Sequence, residues 1–546
     1  MTIINNRENE LSFESIVEKY PQIPRLIILK IDVQRRGVHY TQKVLDKIDP
    51  NIYQLTGANV FFASLGARDQ KTRAVPESLI LRDGTTIITD PTPLAQNPYI
   101  VDYRDGKSVL VDNNKIIEEV NFWEKPDYYG ELTSSGVSMD SIVFARPQRL
   151  NITPTSYCHF WKNQRGCKYC DLVPHFKEDG VIKQRLTPQD AYETVREALK
   201  QKGRFTNICM TMGSDTNGAT PFDAEVDYYI EILKAIGQNF KEKRFPSQVI
   251  TTALNEEQLV RLYNETGLTS YTSDIEVLNE DLFKWICPGK EEWVGYKEWK
   301  RRLVAAVDIF GKGNVNSGIV GGVELAKPNG FKTEEEGLKH TLEEAEDLIS
   351  KGVSVVYIVW VPRPLSFFKD QKNASLEYYV KLTEGLNTLR IKYGSTIDFN
   401  DIKHIINNSK TLKVLATVGI DGIPHTAVKQ TLHINEDGNI EYIELFESSQ
   451  SYRNLTASVW YDKKVSILIY GENKESYEII GKTENIYISG KHYEKAYTDI
   501  LEQKGFDIAA IVIIIPEYVK NQDPKEKFQE QERTRPFFRH LDRLKK

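Results

Sequence analysis

The chain of 546 residues has the composition of an ordinary globular protein, with 40% hydrophobic and 27% charged residues. At roughly 100–200 residues per domain, this length predicts about three or four domains. The formal net charge of -6 gives no argument for nucleic acid or an anionic membrane as a partner.

The start and the longest apolar run of the chain bear on its location. The first ten residues, MTIINNRENE, lack the basic and apolar regions of a secretory signal. The run IAAIVIIIP at 508–516 is far shorter than the roughly 20 residues that span a bilayer, so it predicts a buried strand. With five cysteines and no signal, we expect a reducing, cytoplasmic environment, in which clustered cysteines indicate a metal site.

Residues 1–145 predict a small mixed α+β domain. The run RLIILKI at 25–31 is typical of a strand. Hairpins are predicted around the Asp-Gly pair at 83–84 and the Asn-Asn pair at 113–114. No chemistry is assigned to this domain.

Residues 146–398 predict an α/β domain of alternating strands and helices. The first helix has Thr187 as its N-cap and Pro188 in its first turn. Repeated strand–helix units predict a parallel sheet with helices outside, which closes fully or partly into a barrel. Such barrels place their chemistry at the carboxyl ends of the strands.

Residues 399–546 predict a separate antiparallel β-barrel. Its strands are joined by Asp-Gly turns at 421–422 and 437–438, and a helix is predicted at 492–505. The last residues form a charged tail.

Three of the five cysteines lie within CHFWKNQRGCKYC, residues 158–170. A closed tetrahedral zinc site would need four ligands. A pair of disulfides would need four cysteines. Three thiolates, Cys158, Cys167 and Cys170, are instead the number for a metal centre that keeps one position open. Soft thiolates select iron–sulfur clusters or zinc.

Zinc is the alternative interpretation of this segment. In it, the three cysteines would be joined by His159 or His175. The other two cysteines, Cys209 and Cys287, are predicted to be buried apolar side chains rather than ligands.

The Cys-x8-Cys-x2-Cys segment, placed directly before the strand–helix alternation, resembles the radical S-adenosylmethionine superfamily. The first gap is longer than the family's commoner spacing. The resemblance implies a four-iron four-sulfur cluster on the three thiolates. It also implies that the open iron binds S-adenosylmethionine, which is cleaved to methionine and a 5′-deoxyadenosyl radical.

Segments further along the chain extend this resemblance in the family's order over roughly 146–395. The aromatic residue before the last cysteine would lie near the adenine, MTMGSDTNG near the methionine amino group, SDIE near ribose or methionine, and NSGIVGG against adenine. WVPRP at 360–364 resembles the end of the sixth strand. The cofactor-binding residues implied are Tyr169, Gly213, Ser214, Asp215, Ser273, Asp274, Glu276, Gly318 and Ile319. The basic residues Lys290, Arg301 and Arg302 could pair with a carboxylate, but their helix-like stretches predict that they are solvated.

The segments ATVGIDGIPH and SSQSYRNL, within 400–520, resemble the split-barrel flavin-binding family typified by pyridoxamine 5′-phosphate oxidase. The resemblance implies FMN, although the family also has members that bind heme or a deazaflavin. Hydroxyl, Lys and Arg side chains suit a phosphate dianion because charge-assisted donors are strong. An ordinary polar turn is the alternative for SSQSYRN. The candidates are His425, Thr426, Lys429, Ser448, Ser449, Arg453 and Asn454.

The sequence therefore predicts a radical enzyme that acts on an unknown small molecule, with a flavin domain in electron transfer. Expected partners are an electron donor such as flavodoxin or ferredoxin and a second copy of the chain, joined through the C-terminal barrel. One alternative is a flavin-binding sensor or scaffold with a structural iron–sulfur or zinc site. A zinc hydrolase is another, but the sequence has no His-Glu-x-x-His.

Overall fold

The computed structural model describes residues 10–55, 75–146, 149–155, 157–174, 185–201, 204–205, 207–241, 243–393, 399–461, 463–525 and 527. The chain divides into two compact units, 1–393 and 394–546. The predicted boundary at 145/146 lies inside the first unit, so the three-domain division stays a prediction.

The elements are numbered in chain order. The helices are α1 Phe13–Lys19, α2 Arg25–Arg36, α3 Gln42–Leu45, α4 Met139–Ile142, α5 Pro188–Ala198, α6 Asp223–Gly237, α7 Glu256–Glu265, α8 Glu280–Ile286, α9 Pro288–Trp293, α10 Tyr296–Phe310, α11 Glu334–Ser350, α12 Leu376–Lys392, α13 Phe399–Asn407, α14 Gln450–Tyr461 and α15 Lys491–Lys504. The strands are β1 Val38–Tyr40, β2 Ser78–Leu81, β3 Thr86–Ile88, β4 Tyr99–Arg104, β5 Lys107–Asp112, β6 Lys115–Phe122, β7 Val143–Arg146, β8 Arg149–Ile152, β9 Asn207–Thr211, β10 Ser247–Ile250, β11 Ser270–Thr272, β12 Val315–Gly321, β13 Ser354–Val359, β14 Leu412–Val418, β15 Pro424–Val428, β16 His433–Ile434, β17 Ile440–Glu444, β18 Lys464–Tyr470, β19 Ser476–Tyr487 and β20 Ala510–Asn521.

The first sheet has the order β1-β4-β5-β6-β2-β3 and confirms both predicted hairpins. The strand predicted at 25–31 is wrong, because these residues begin helix α2. The apolar run continues into Asp32, Arg35 and Arg36, and both arginines pair with Asp32 at helical spacing. Side chains three and four residues apart lie side by side on a helix, so this spacing favours a helix over a strand.

The second sheet confirms the predicted parallel α/β architecture. Its order is β13-β12-β11-β10-β9-β8-β7. Strands β8 to β13 are parallel, and β7 is antiparallel to β8. Helix α5 begins as predicted, with the Thr187 hydroxyl accepting from the Asp190 N–H. Closure of this sheet into a barrel of radical S-adenosylmethionine type stays a prediction.

The carboxyl ends of the parallel strands meet along one edge of this sheet. The last residues of β9, β10 and β11 are in register, with Ile250 opposite both Thr211 and Thr272. The segments that follow these strands therefore leave the sheet side by side, and they contain the predicted Gly-Ser and Ser-Asp-Ile-Glu residues.

The third sheet lies in the second unit and is antiparallel throughout, with the order β15-β14-β18-β19-β20-β17-β16. Both Asp-Gly turns join strands as predicted, and the apolar run at 508–516 lies largely in the buried strand β20. The split-barrel type stays a prediction, and the charged tail from 528 lies outside the described residues. Within the described ranges, none of the helices has the length and apolar character needed to cross a bilayer.

Candidate functional site

All three clustered cysteines line one cavity of about 170 Å³ at the carboxyl edge of the parallel sheet. Cys167 is buried, and Cys158 and Cys170 are half-buried. Tyr169 of the same segment and four residues predicted from other segments line this cavity as well: Gly213, Ser214, Asp274 and Glu276. Segments that are up to 118 residues apart in sequence therefore converge on the thiols.

Cys158 is held against the segment that follows β9. The His159 N–H donates to the Ser214 carbonyl at 2.7 Å. A Cβ added at Gly213 would lie 2.3 Å from the Cys158 Cβ and 2.4 Å from the Tyr157 carbonyl oxygen. Only glycine allows this approach, because real Cβ atoms do not come so close to other heavy atoms.

The segment from α8 to α9 contacts the loop that carries Cys167 and Cys170. The Lys168 N–H donates to the Ile286 carbonyl at 2.8 Å, and the Gly289 N–H donates to the Arg165 carbonyl at 3.0 Å. These bonds bring Cys287 and Lys290 beside Cys167.

The three thiols differ in acidity. A hydrogen bond with Cys287 and the nearby Lys290 ammonium lower the pKa of Cys167 in spite of its burial. Burial and the neighbouring Cys167 raise the pKa of Cys158 to about 11, and they raise that of Cys170 as well. Cys167 is therefore the thiol that ionises first.

Lys290 is the buried cation of the cavity, so its prediction as a solvated residue is wrong and the alternative, pairing with a carboxylate, is confirmed. Its Nζ donates to Glu276 Oε1 and to the Asp274 carbonyl oxygen, both at 2.6 Å, and lies 4.7 Å from the centre of the Trp299 ring. Burial lowers its pKa, but Glu276 and Cys167 more than offset this and raise it. The side chain therefore stays charged.

Glu276 has a left-handed backbone conformation, with φ of 72°. This region is uncommon for a residue with a side chain, and such strain concentrates at functional sites. Two backbone bonds to β12 hold it: the Glu276 N–H donates to Gly318, and the Val320 N–H donates to Glu276. The strained turn directs the carboxylate into the cavity.

Asp274 also contacts β12. Its Oδ1 accepts from the Gly318 N–H at 2.7 Å, and a Cβ at Gly318 would lie 2.6 Å from that oxygen. Burial and the neighbouring Glu276 raise the pKa of Asp274 to about 6.

A third carboxyl, the fully buried Glu225 on α6, joins the segments after β9 and β10. It accepts hydrogen bonds from the Asp215 N–H at 2.8 Å, the Thr252 N–H at 3.3 Å and the Thr251 hydroxyl. The Ser214 hydroxyl lies 2.6 Å from that of Thr252. Burial raises the pKa of Glu225 to about 7.

Four predicted cofactor-binding residues do not line the cavity. Asp215 accepts from the Asn217 backbone and side chain, and Ser273 is fully buried. Gly318 supports Asp274, and Ile319 packs in the core. Their assignment to the cofactor stays a prediction.

The described residues bear on the zinc alternative as well. The Nδ1 of His159 lies 2.6 Å from the Thr216 hydroxyl, and His159 is not among the cavity-lining residues. His175 lies outside the described residues. In the part of the chain that the structure describes, no three His, Cys, Asp or Glu side chains are arranged to hold one ion.

The sequence did not place Lys290 in the cavity or Cys287 beside it. Cys287 and Cys209 are both buried, as predicted, but the Cys287 thiol contacts Cys167. The only signal was their spacing in the segment CPGK, which directly follows helix α8.

The flavin candidates in the second unit are spread over β15, the turn after it, the segment just before α14, and α14 itself. Ser448, Arg453 and Thr426 are exposed, and His425 is half-buried. The buried Asn454 donates to the Thr417 hydroxyl at 3.0 Å. Lys429 and Ser449 both donate to Glu444, at 2.5 and 2.9 Å, and no sequence pattern indicated this carboxylate.

No protein-family model matches the chain. A curated protein, the bacteriochlorophyllide c C-7(1)-hydroxylase of Chlorobaculum limnaeum, is 31% identical over 278 residues. The match covers 48% of this chain and 65% of the hydroxylase, which is less than two thirds of its length. Over about half of its length, the chain is similar to an enzyme.

Solved structures resemble parts of the chain. HupZ of Group A Streptococcus is 26% identical, with 22% of this chain and 96% of HupZ covered and a TM-score of 0.19. A pyridoxamine 5′-phosphate oxidase homologue of Lactobacillus delbrueckii is 20% identical, with 23% and 95% covered and a TM-score of 0.19. An FMN-binding protein of Syntrophomonas wolfei is 14% identical, with 26% and 97% covered and a TM-score of 0.21. TM-scores of this size assign neither a fold nor a function to the chain.

Proposed function

We propose that the chain is a radical S-adenosylmethionine enzyme, in which Cys158, Cys167 and Cys170 hold a four-iron four-sulfur cluster. One observation carries the proposal. Residues selected from separate sequence segments line a single cavity at the carboxyl ends of parallel strands, where such folds carry out their chemistry.

The donor set of the cavity fits this pair of cofactors. Three thiols are soft ligands for iron and leave one iron open. A four-iron cluster is larger than one ion, so its ligands need not converge on one point. Beside the thiols, Asp274, Glu276 and Ser214 offer acceptors for ammonium and hydroxyl groups.

When bound, the two cofactors supply a 5′-deoxyadenosyl radical that can take a hydrogen atom from an unreactive carbon. The protein's part is to bind and orient. Lys290 holds Glu276 in place, and the strained turn at Glu276 fixes its direction. Trp161 and Trp299 give the cavity apolar walls, which exclude water from reactive species.

The similarity to a hydroxylase supports an enzyme that changes a carbon–hydrogen bond of an organic small molecule. The second unit is proposed to bind a flavin, on the resemblance of its β14–β15 hairpin and α14 segments. Its Lys429 and Ser449 do not fit a phosphate-binding role, because Glu444 already accepts from both. We propose that flavodoxin or ferredoxin supplies the electron to the cluster.

Anaerobic reconstitution with iron and sulfide tests the cluster assignment. Wild-type protein should bind about four irons per chain. Cys158→Ala, Cys167→Ala and Cys170→Ala should each lose most of this iron. Cys209→Ala is the control, because Cys209 is a buried cysteine that does not line the cavity. Stoichiometric zinc without iron would instead support the structural zinc alternative.

A further inference from the structure

Glu444 is the last residue of β17, and only 2% of it is exposed. Its carboxylate accepts hydrogen bonds from five groups of its own unit. The donors are Lys429 Nζ at 2.5 Å, Ser449 Oγ at 2.9 Å, the Leu445 N–H at 3.1 Å, the Phe446 N–H at 3.3 Å and the Tyr442 hydroxyl at 3.4 Å.

This donor set has the chemistry of a phosphate site. It combines an ammonium, two hydroxyls and two successive backbone N–H groups. It also lies at the start of helix α14, where Ser449 accepts from the Tyr452 N–H. Helix N-termini favour anions. The ligand that fills this site is a carboxylate of the chain itself.

The charges of the site are already balanced. Lys429 carries one positive charge and Glu444 one negative charge, so a phosphate dianion would enter as uncompensated negative charge. The other predicted cation, Arg453, has an exposed side chain, which screens a buried anion weakly. A phosphate could use these donors only if Glu444 left them.

We propose that Glu444 occupies the phosphate subsite of the second unit, so that this unit binds a flavin without using a phosphate. The inference rests on the proposed flavin binding and specifies its ligand. The flavin that fits is riboflavin, or another isoalloxazine whose phosphate does not contribute, rather than FMN held by Lys429 and Ser449.

The affinities of the full-length chain for FMN and for riboflavin test the proposal without any variant. Quenching of the flavin fluorescence measures both affinities. Wild-type protein should bind riboflavin at least as tightly as FMN. A preference of about tenfold or more for FMN, equal to about 1.4 kcal/mol, would overturn the proposal.

The variant Glu444→Gln should keep the donors and remove the competing charge. We expect it to bind FMN about tenfold more tightly than wild type, with riboflavin affinity little changed. Glu447→Gln is the matched control, because Glu447 is exposed in the same segment.

Calorimetric titration of the same proteins with inorganic phosphate tests the role of Glu444 separately from the proposed flavin binding. If neither protein binds a flavin, the proposed flavin function fails, and phosphate then decides the role of Glu444. Phosphate binding that appears in Glu444→Gln and not in wild type or Glu447→Gln supports that role. A folded Glu444→Gln with no gain in phosphate or FMN affinity contradicts it.

Discussion

Lys290 explains how two carboxyls can lie beside three thiols in one cavity. Removing one partner of a buried ion pair leaves an uncompensated charge, which is far more costly than losing an exposed pair. Lys290 therefore determines where the Glu276 carboxylate can be when a cofactor arrives.

We predict that Lys290→Met weakens the binding of S-adenosylmethionine to reconstituted protein by about tenfold or more. Calorimetric titration measures this affinity. Lys284→Met is the control, since Lys284 forms an exposed pair with Glu280 at 2.9 Å. An unchanged affinity in a folded, iron-loaded Lys290→Met protein would show that the pair is only structural.

The buried Glu225 predicts how the free energy of unfolding depends on pH. Its pKa is raised by burial from 4.5 to about 7, so folding favours its neutral form. The stability that the neutral form provides is fully present below pH 4.5 and is lost as the pH rises to about 7. Relative to Glu225→Gln, wild type should therefore lose about 3 kcal/mol of unfolding free energy across this range.

Urea unfolding at several pH values between 4.5 and 8 measures this difference. Glu231→Gln, an exposed position on the same helix α6, should show no such trend. A difference between wild type and Glu225→Gln that does not change with pH would mean that Glu225 is ionised in the fold at all these values.

At the scale of elements, the segment after β9 is built around a close approach of two backbones. Gly213→Ala would force Cys158 and this segment apart. We expect iron affinity to fall by about tenfold or more, as for other changes that displace a metal ligand. Gly237→Ala is the control, because its Cβ would approach only the Phe245 ring, at 3.3 Å. Equal iron content in the two variants, measured after reconstitution, would contradict this account.

The alternation of strands and helices could be predicted from sequence, and so could the convergence of Cys158, Asp274 and Glu276. Parallel strands carry their carboxyl ends to one edge, so residues placed just after each strand must meet. The helix α2 could not be predicted from its apolar run alone, because its local pairs with Asp32 lie beyond that run and its other contacts are distant in sequence. Arg35 donates to the Ala374 carbonyl at 3.3 Å, and Asn373 donates to the Arg35 carbonyl at 3.0 Å.

The place of Lys290 in the cavity and the role of Glu444 were missed for a related reason. A charged residue in a short helix or at a strand end is usually solvated, and only its partners show otherwise. Glu276 is 14 residues from Lys290, and Lys429 is 15 residues from Glu444, so no helical or strand spacing links either pair.

At the scale of the whole molecule, each of the two units contains one of the two proposed sites. One hydrophobic core runs through the first unit from Phe13 to Leu386, across the predicted boundary at 145/146. The second unit has cores of its own around β14–β20. The thiol cavity therefore belongs wholly to the first unit, and the Glu444 site to the second.

Formation of 5′-deoxyadenosine tests the central claim most directly. The full-length chain is reconstituted anaerobically with iron and sulfide, then mixed with S-adenosylmethionine and dithionite, and the products are separated by chromatography. The account predicts 5′-deoxyadenosine and methionine from wild type, even without the true substrate, and none from Cys167→Ala. Wild-type protein that carries the cluster and binds S-adenosylmethionine but releases no 5′-deoxyadenosine on reduction would contradict it.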